Sequence, residues 1–280
     1  MLLLLAAGAA AAAPLVVGSK RFTESYILGE IVRQALEQAG VPAEHREGLG
    51  NTGILEQALA AGQVDVYPEY TGTIVREILK REGQPSLEEL NRWLQPLGLK
   101  AALPLGFNNT YALALREDQA SRLGLSRLSD LARLPAGALK LGLSHEFLAR
   151  ADGWPALRKA YGLALEAGTG LDHGLAYEAL RGGQVDVIDV YSTDAKIGRY
   201  GLRVLRDDRG FFPGYEAVFL MRSGVSDAAL AGLARLQGRI DEATMIALNA
   251  QVELDGRSFA EAARGFVESG GATSGADAKA

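Results

Sequence analysis

The chain has 280 residues, of which 48% are hydrophobic and 22% charged, and its formal net charge is −5. This length allows two domains of ordinary size, and the lack of a basic excess argues against a surface that binds nucleic acid. The sequence contains no cysteine, which excludes disulfides, thiolate catalysis and cysteine-bound metals.

The chain opens with an apolar segment, Leu2–Leu5 followed by the alanine-rich stretch Ala6–Ala13. The segment has the length of a signal-peptide core and ends in small residues, and it is shorter than the roughly 20 residues of a membrane-spanning helix. We therefore predict a signal peptide over residues 1–13 and an exported, periplasmic protein. Because no cysteine could carry a lipid, we expect the protein not to be lipid-anchored. The small, polar residues 269–280 predict a disordered tail.

Between these ends, apolar strands alternate with amphipathic helices. Leu15–Gly18 is typical of a strand, and Glu24–Ala39 of a helix with one apolar face that ends at Gly40. Further strands are predicted near 43–46, 64–67, 111–115, 139–143, 185–190 and 217–220, and further helices over 52–61 and after Ser86, Ser226 and Ser258. This alternation predicts an α/β protein whose sheets are rich in parallel strands and carry helices on both faces.

One phrase occurs twice: Ala58–Tyr70 reads ALAAGQVDVYPEY, and Ala179–Tyr191 reads ALRGGQVDVIDVY. Each copy predicts a helix that ends at a glycine, a buried valine-rich strand and a tyrosine directly after it. Ligands of open α/β sheets bind beyond the carboxyl ends of the strands. Either tyrosine alone is compatible with an ordinary core position, but the pairing favours two related lobes that each offer one tyrosine to a shared cleft.

Other polar residues favour structural roles. His45, His145 and His173 are spread along the chain without the spacing of metal ligands, so no metal site is predicted. Asp65 and Asp186 occupy equivalent positions in the repeat, which indicates a structural bond common to both copies rather than a catalytic pair. The sequence has no P-loop and no G-x-G-x-x-G run, and we expect no cofactor.

Six short segments between residues 15 and 268 carry a resemblance to a known family. They are Gly18–Glu24, Tyr67–Thr73, Asn108–Leu113, Arg150–Gly153, Asp189–Asp194 and Phe211–Glu216. Together they resemble the signature segments of the substrate-binding proteins of osmoprotectant ABC transporters, which recognise quaternary ammonium compounds such as glycine betaine, carnitine and choline. The resemblance implies a type II periplasmic-binding-protein fold, with two βαβ lobes, two crossover strands and a ligand cleft between the lobes.

The resemblance also suggests where the chain divides. Tyr111–Leu115 and Ala217–Leu220 are apolar strands at the points where the chain would cross between lobes. Residues 14–107 and 215–268 are then expected to form the first lobe, and residues 108–214 the second.

A trimethylammonium group is positively charged but has no N–H to donate, so aromatic faces suit it better than hydrogen-bonding groups. In proteins of the resembling family the group is held by tyrosines, and the matching positions here are Tyr70, Tyr111, Tyr191 and Tyr215. The resemblance therefore implies an aromatic cage with walls from both lobes.

A ligand carboxylate needs fixed donors, and the resemblance implies that Lys20 and Arg150 supply them, with the hydroxyl of Thr73. Asn109 lies near the ammonium end by its motif position. Some relatives carry an acidic residue there, and this departure favours betaine over choline.

The sequence thus predicts a monomeric, non-enzymatic protein that delivers a quaternary ammonium solute to an ABC permease in the membrane, without nucleic acid. Other interpretations stay open. The same fold could bind another small zwitterion such as an amino acid. A bilobal enzyme like the porphyrin-pathway deaminases would need a cysteine for its cofactor, and this chain has none. A ligand-sensing domain of a transcription regulator is opposed by the export signal. Apart from the departure at Asn109, the sequence leaves open which of these quaternary ammonium compounds is the ligand.

Overall fold

The computed structural model describes residues 13–269. The predicted signal peptide covers residues 1–13, and its residues 1–12 lie outside the described residues. The predicted tail covers residues 269–280, and its residues 270–280 also lie outside them. Within the described range, every helix is too short or too polar to span a bilayer.

The described residues form eight strands and a set of mostly short helices. The strands are β1 (Leu15–Lys20), β2 (Ala43–Gly50), β3 (Val66–Tyr70), β4 (Leu99–Ala102), β5 (Tyr111–Arg116), β6 (Val187–Tyr191), β7 (Leu202–Leu205) and β8 (Ala217–Arg222). The helices are α1 (Thr23–Gln38), α2 (Thr52–Ala60), α3 (Thr71–Thr73, continued by a π-helical turn Ile74–Ile78), α4 (Leu87–Leu94), α5 (Glu117–Leu123), α6 (His145–Ala149), α7 (Trp154–Tyr161), α8 (His173–Arg181), α9 (Ala195–Arg199), α10 (Asp227–Ala234), α11 (Glu242–Glu253) and α12 (Phe259–Glu268).

The strands form two sheets. The larger has the order β2-β1-β3-β8-β4, parallel from β2 to β3 and antiparallel at β8, and the smaller has the order β6-β5-β7 with antiparallel pairing. We call the residues around the larger sheet, 15–102 and 217–268, the first lobe, and those around the smaller sheet, 111–205, the second lobe. The α/β fold class is confirmed, whereas the prediction of mainly parallel sheets is wrong for the smaller sheet.

The predicted strand 139–143 is reduced to isolated parallel bridges from Leu141 to Ala167 and Val187. The segment still lies beside β6, because the backbone N–H of Gly142 donates to the carbonyl of Val187 at 2.9 Å and that of Asp186 donates to the carbonyl of Lys140 at 2.7 Å. The apolar pattern identified a buried segment correctly, with Leu139, Leu141 and Leu143 all buried, but its pairing is too short to form a strand.

Alternating side chains of the larger sheet build a core on each of its faces. Val66, Phe219 and Met221 pack on the face covered by α1 and α10 to α12. Tyr67 and Leu220 point to the other face, against α2 and α4. Both faces are therefore covered by helices, as the βαβ pattern predicts.

Two chain segments, 103–110 and 206–216, connect the lobes. They are hydrogen-bonded to each other, and the backbone N–H of Asn109 donates to the carbonyl of Tyr215 at 3.0 Å. The predicted crossover strands, β5 and β8, each lie in a single sheet, so the chain crosses in the segments that precede them. The lobe boundaries near residues 107 and 214 fall within these segments, and we keep them as our proposal.

The aspartates of the two copies of the repeat accept equivalent hydrogen bonds, one in each lobe. Asp65 accepts a hydrogen bond from the backbone N–H of Val16 at 2.8 Å, and Asp186 accepts the equivalent bond from Lys140 at 2.8 Å. Each aspartate also pairs with an arginine at the end of an antiparallel strand, Arg222 on β8 and Arg116 on β5. The shared structural role of the two aspartates is confirmed.

Replacing Asp65 or Asp186 by alanine should therefore lower the free energy of unfolding by about 1–3 kcal/mol, because each change leaves a backbone donor without its acceptor. Urea denaturation measures this loss. Asp255→Ala, at an exposed position, is the control and should be near neutral. If both aspartate variants behave like the control, the shared role is refuted.

Candidate ligand-binding site

A cavity of about 500 Å³ lies between the two lobes. Its walls come from the carboxyl ends of β1 and β3, the first turn of α2, the segment before β5, and the second-lobe turns that begin α6 and α8. The lining residues are Lys20, Arg21, Phe22, Gly50, Asn51, Ile54, Tyr70, Thr73, Asn109, Tyr111, Ser144, His145, Glu146, Ala149, Leu171, Asp172, His173, Tyr191 and Tyr215. Seven of the eight predicted site residues are among them, and Arg150 is the exception.

The four predicted tyrosines all border this cavity. Tyr111 and Tyr191 are cross-strand partners on β5 and β6, with ring centroids 5.1 Å apart and an edge-to-face angle of 62°. Tyr215 lies 5.9 Å from Tyr111, also edge to face. Tyr70 ends β3, at the position equivalent to Tyr191 in the repeat. Burial raises the pKa of all four tyrosines above the usual value, so these rings stay neutral at physiological pH.

Other aromatic side chains pack against these tyrosines, and the sequence analysis did not predict them. The imidazole of His173 stacks on Tyr191 at 4.3 Å, and Phe22 packs on the same tyrosine at 5.3 Å. Phe147 stacks on Tyr111 at 5.0 Å. Phe22 lies two residues after Lys20 within the first resembling segment, so the sequence could have indicated that it belongs to the site.

His173 could also have been found from the repeat. The spacing that superposes the two copies also places Asn51–Ile54 (NTGI) on Asp172–Leu175 (DHGL). Both stretches open a helix, α2 or α8, and both contribute to the cavity wall. The repeat therefore begins before Ala58 and Ala179, at Asn51 in the first copy and at Asp172 in the second.

The amino group of Lys20 lines the cavity but already has a partner. Its Nζ lies 2.7 Å from Oε1 of Glu69, a fully buried carboxylate, and 5.2 Å from the ring centroid of Tyr70. Glu69 also accepts hydrogen bonds from the hydroxyl of Thr52 at 3.2 Å and the backbone N–H of Tyr70 at 3.0 Å. Lys20 and Glu69 together leave little net charge at this end.

Arg150 lies behind the wall rather than in it. Its guanidinium makes two hydrogen bonds to the carboxylate of Asp152, at 2.8 and 2.7 Å, and a third to the hydroxyl of Thr73 at 3.3 Å. The same guanidinium lies 5.4 Å from the ring centroid of Tyr111, and Asp152 accepts a hydrogen bond from the hydroxyl of Tyr215 at 3.0 Å. Arg150 thus holds three cavity-lining residues in place.

Asn109 lines the cavity, and its side-chain amide donates to Glu24 at 2.9 Å. Glu30, His45 and Glu47 form a cluster of possible metal ligands elsewhere in the first lobe. Both oxygens of Glu30 already accept hydrogen bonds from Arg33, so this cluster is better explained as a structural ion-pair network.

Curated relatives align over most of the chain. It is 36% identical to the "Glycine-betaine-binding protein" of Pseudomonas aeruginosa, covering 94% of this chain and 90% of that protein. It is 35% identical to the "Ergothioneine transport permease/ergothioneine binding protein EgtU" of Helicobacter pylori, over 91% of this chain but only 47% of that longer protein. The chain thus spans about half of the Helicobacter protein.

Solved structures share the fold. A "glycine betaine/carnitine/choline ABC transporter" structure matches with a TM-score of 0.70 at 27% identity, over 91% of this chain and 98% of the other. The apo structure of YehZ from Escherichia coli matches with a TM-score of 0.64 at 30% identity, over 92% and 99%. A family model described as "Substrate binding domain of ABC-type glycine betaine transport system" matches residues 13–269. The chain belongs to this family of ABC-transporter substrate-binding domains, which confirms the resemblance seen in the sequence.

Proposed function

We propose that this protein binds a quaternary ammonium solute of the glycine betaine type between its lobes and delivers it to an ABC permease. The observation that carries this proposal is the set of four neutral tyrosines around one cavity. A trimethylammonium group spreads its positive charge over methyl groups, and each aromatic face attracts it by about 0.5–2 kcal/mol. An enzyme of the same architecture would need reactive groups instead, and the family consists of binding proteins of transporters.

The carboxylate end of the ligand is proposed to lie near Lys20, Thr73 and Arg150. The two cations carry carboxylate partners of their own, so a bound carboxylate would share their donors rather than displace them. Arg150 would act mainly through Thr73, whose hydroxyl it contacts and which lines the cavity. This end of the cavity can therefore bind a ligand carboxylate, but ligands without a carboxylate can also bind.

The proposed mechanism is closure of the two lobes around the ligand. Tyr70 belongs to the first lobe and Tyr111 and Tyr191 to the second, so a ligand that touches all three favours the closed state. The connecting segments 103–110 and 206–216 are the proposed hinge. Export to the periplasm and a monomeric state are part of the same proposal.

A larger betaine is a second candidate. The cavity of about 500 Å³ falls within the range of roughly 300–1,000 Å³ that is typical of sites for drug-sized ligands. Beyond the tyrosines, its wall includes the polar residues Asn51, Glu146, Asp172 and His173. Ergothioneine combines a trimethylammonium carboxylate with a polar ring and would use both regions.

Calorimetric titration of glycine betaine, choline, carnitine, ergothioneine and unmethylated glycine tests the proposal. We expect at least one quaternary ligand to bind at least about tenfold tighter than glycine, a difference of about 1.4 kcal/mol. Ergothioneine as the tightest ligand would select the second candidate. Tighter binding of glycine or another amino acid than of every quaternary ligand would contradict the proposal and support an amino-acid carrier.

A further inference from the structure

Glu24, in the first turn of α1, is a buried carboxylate that accepts hydrogen bonds from four side chains. The hydroxyl of Tyr70 and the amide of Asn109, at 2.9 Å, donate to Oε1. The hydroxyl of Thr193, at 2.5 Å, and the amide of Asn249, at 3.2 Å, donate to Oε2. Tyr70 and Asn249 belong to the first lobe, Thr193 belongs to the second, and Asn109 lies in a connecting segment. Glu24 therefore links all three parts of the chain behind the cavity.

All four partners act as donors, which suits an ionised carboxylate. Burial raises the pKa of the Glu24 carboxyl above its usual value, and the hydrogen bonds from its four partners offset only part of this rise. A hydroxyl can turn to accept a proton, but the amide N–H groups of Asn109 and Asn249, one on each oxygen of Glu24, can only donate and therefore favour the carboxylate. The carboxylate form of Glu24 therefore depends on this set of donors.

Glu24 determines how two cavity-lining residues are oriented. The amide nitrogen of Asn109 is turned toward Glu24, and its carbonyl oxygen is buried without a hydrogen-bond partner among the described residues. The hydroxyl of Tyr70 is likewise turned toward Glu24, while its ring belongs to the cavity wall. Glu24 thus accepts the hydrogen bonds of both side chains, and the hydrogen-bearing end of each side-chain dipole is directed toward it.

The ring of Tyr70 and the carbonyl oxygen of Asn109, the groups not bonded to Glu24, are electron-rich. A phenol that donates to a carboxylate is polarised, and its ring becomes more negative. The unpaired carbonyl oxygen of Asn109 can receive the polarised methyl groups of an ammonium ion. A flipped Asn109 amide would instead direct its N–H groups away from Glu24 and toward the cation.

We propose that Glu24 is a positioning residue that makes this cavity selective for positive charge, by holding Tyr70 and Asn109 with their electron-rich groups available to the ammonium group of the ligand. The inference rests on the proposed function, because it concerns the same site. It adds an acidic residue that does not line the cavity and that acts only through two residues that do.

The test compares two ligands of the same shape. Glycine betaine and 3,3-dimethylbutyrate share a carboxylate and a group of three methyls, but only the first has a positive nitrogen. NMR titration, which reaches millimolar dissociation constants, gives the affinity ratio of the two ligands for each variant. In Glu24→Gln we expect this ratio to fall at least about tenfold, with the affinity for dimethylbutyrate nearly unchanged.

Glu30→Gln is the matched control, because Glu30 is a buried, hydrogen-bonded carboxylate on the same helix that does not border the cavity. It should leave the ratio unchanged. Asn109→Ala provides a second variant if Glu24→Gln does not fold, and it should also lower the ratio because the carbonyl oxygen is lost.

The outcomes separate this inference from the proposed function. If the unmodified protein binds no quaternary ammonium ligand, the proposed function fails and the inference fails with it. If the protein prefers glycine betaine and both Glu24→Gln and Asn109→Ala keep that preference, only the inference is overturned. An equal loss for both ligands would assign Glu24 a purely structural role and would also overturn it.

Discussion

Replacing Arg150 by alanine should cost about 3–5 kcal/mol of folding free energy, because it leaves a buried carboxylate without its partner. Asp152 receives two hydrogen bonds from this guanidinium, at 2.8 and 2.7 Å, and both side chains are buried. Urea denaturation measures the loss. A cost below about 1 kcal/mol, which is the usual value for an exposed ion pair, would contradict the buried pairing.

A double variant is the control for this prediction. Exchanging both partners for apolar residues, as in Arg150→Met with Asp152→Leu, removes the unpaired charge and should recover much of the lost stability. The sequence alone would predict weaker binding only for ligands that carry a carboxylate. Because Arg150 also contacts Tyr111 and Thr73, we expect Arg150→Ala to weaken both glycine betaine and choline.

Replacing Tyr191 by alanine should weaken quaternary ammonium ligands by about 10- to 100-fold, equivalent to about 1.4–2.8 kcal/mol. The change removes one cation–π wall, worth about 0.5–2 kcal/mol, and the ring against which Tyr111, His173 and Phe22 pack. Tyr191→Phe keeps the ring face and should stay within about threefold of the unmodified protein, a difference below 1 kcal/mol. Calorimetric titration with glycine betaine measures both variants.

Tyr161→Ala is the control for the alanine variant. Tyr161 is a buried tyrosine of the same lobe, bonded to Asp207 and away from the cavity lining. Its loss should lower stability by a few kcal/mol but leave the affinity of the folded protein unchanged. Unaltered binding by Tyr191→Ala would refute its place in the aromatic wall.

Much of the fold could be predicted because local patterns and tertiary structure agree. The apolar face of Glu24–Ala39 predicts α1, observed at Thr23–Gln38. The helix predicted after Ser258 is observed as α12, and Ser258 forms a capping box with Glu261 at its start. The repeat located β3 and β6 and the tyrosines at their ends, since its glycine stop, valine strand and terminal tyrosine are contiguous in sequence.

The partners of the charged residues could not be predicted in the same way. Lys20 pairs with Glu69, which lies on another strand, and sequence gives no sign of that contact. Arg150 and Asp152 are only two residues apart, but their pairing depends on the turn between α6 and α7 that directs both side chains inward. A positive residue in a resembling segment can therefore support the site rather than contact the ligand.

The contribution of Glu24 was hidden for a further reason. Its four donors come from β3, a connecting segment, the turn after β6 and α11, which are distant in sequence. Glu24 lies inside the first resembling segment, Gly18–Glu24, but the segment gives no sign that this residue bonds Tyr70 and Asn109. Only the assembled lobes show that it orients Tyr70 and Asn109.

A crystal structure of the protein with bound glycine betaine would show directly whether the tyrosines hold the ligand. We expect the ammonium nitrogen within about 6 Å of the ring centroids of Tyr70, Tyr111, Tyr191 and Tyr215, which is the range of effective cation–π contacts. The carboxylate should lie on the side of Lys20 and Thr73. A ligand whose ammonium group lies away from the tyrosines, or a ligand bound outside the interlobe cavity, would contradict the proposed aromatic site.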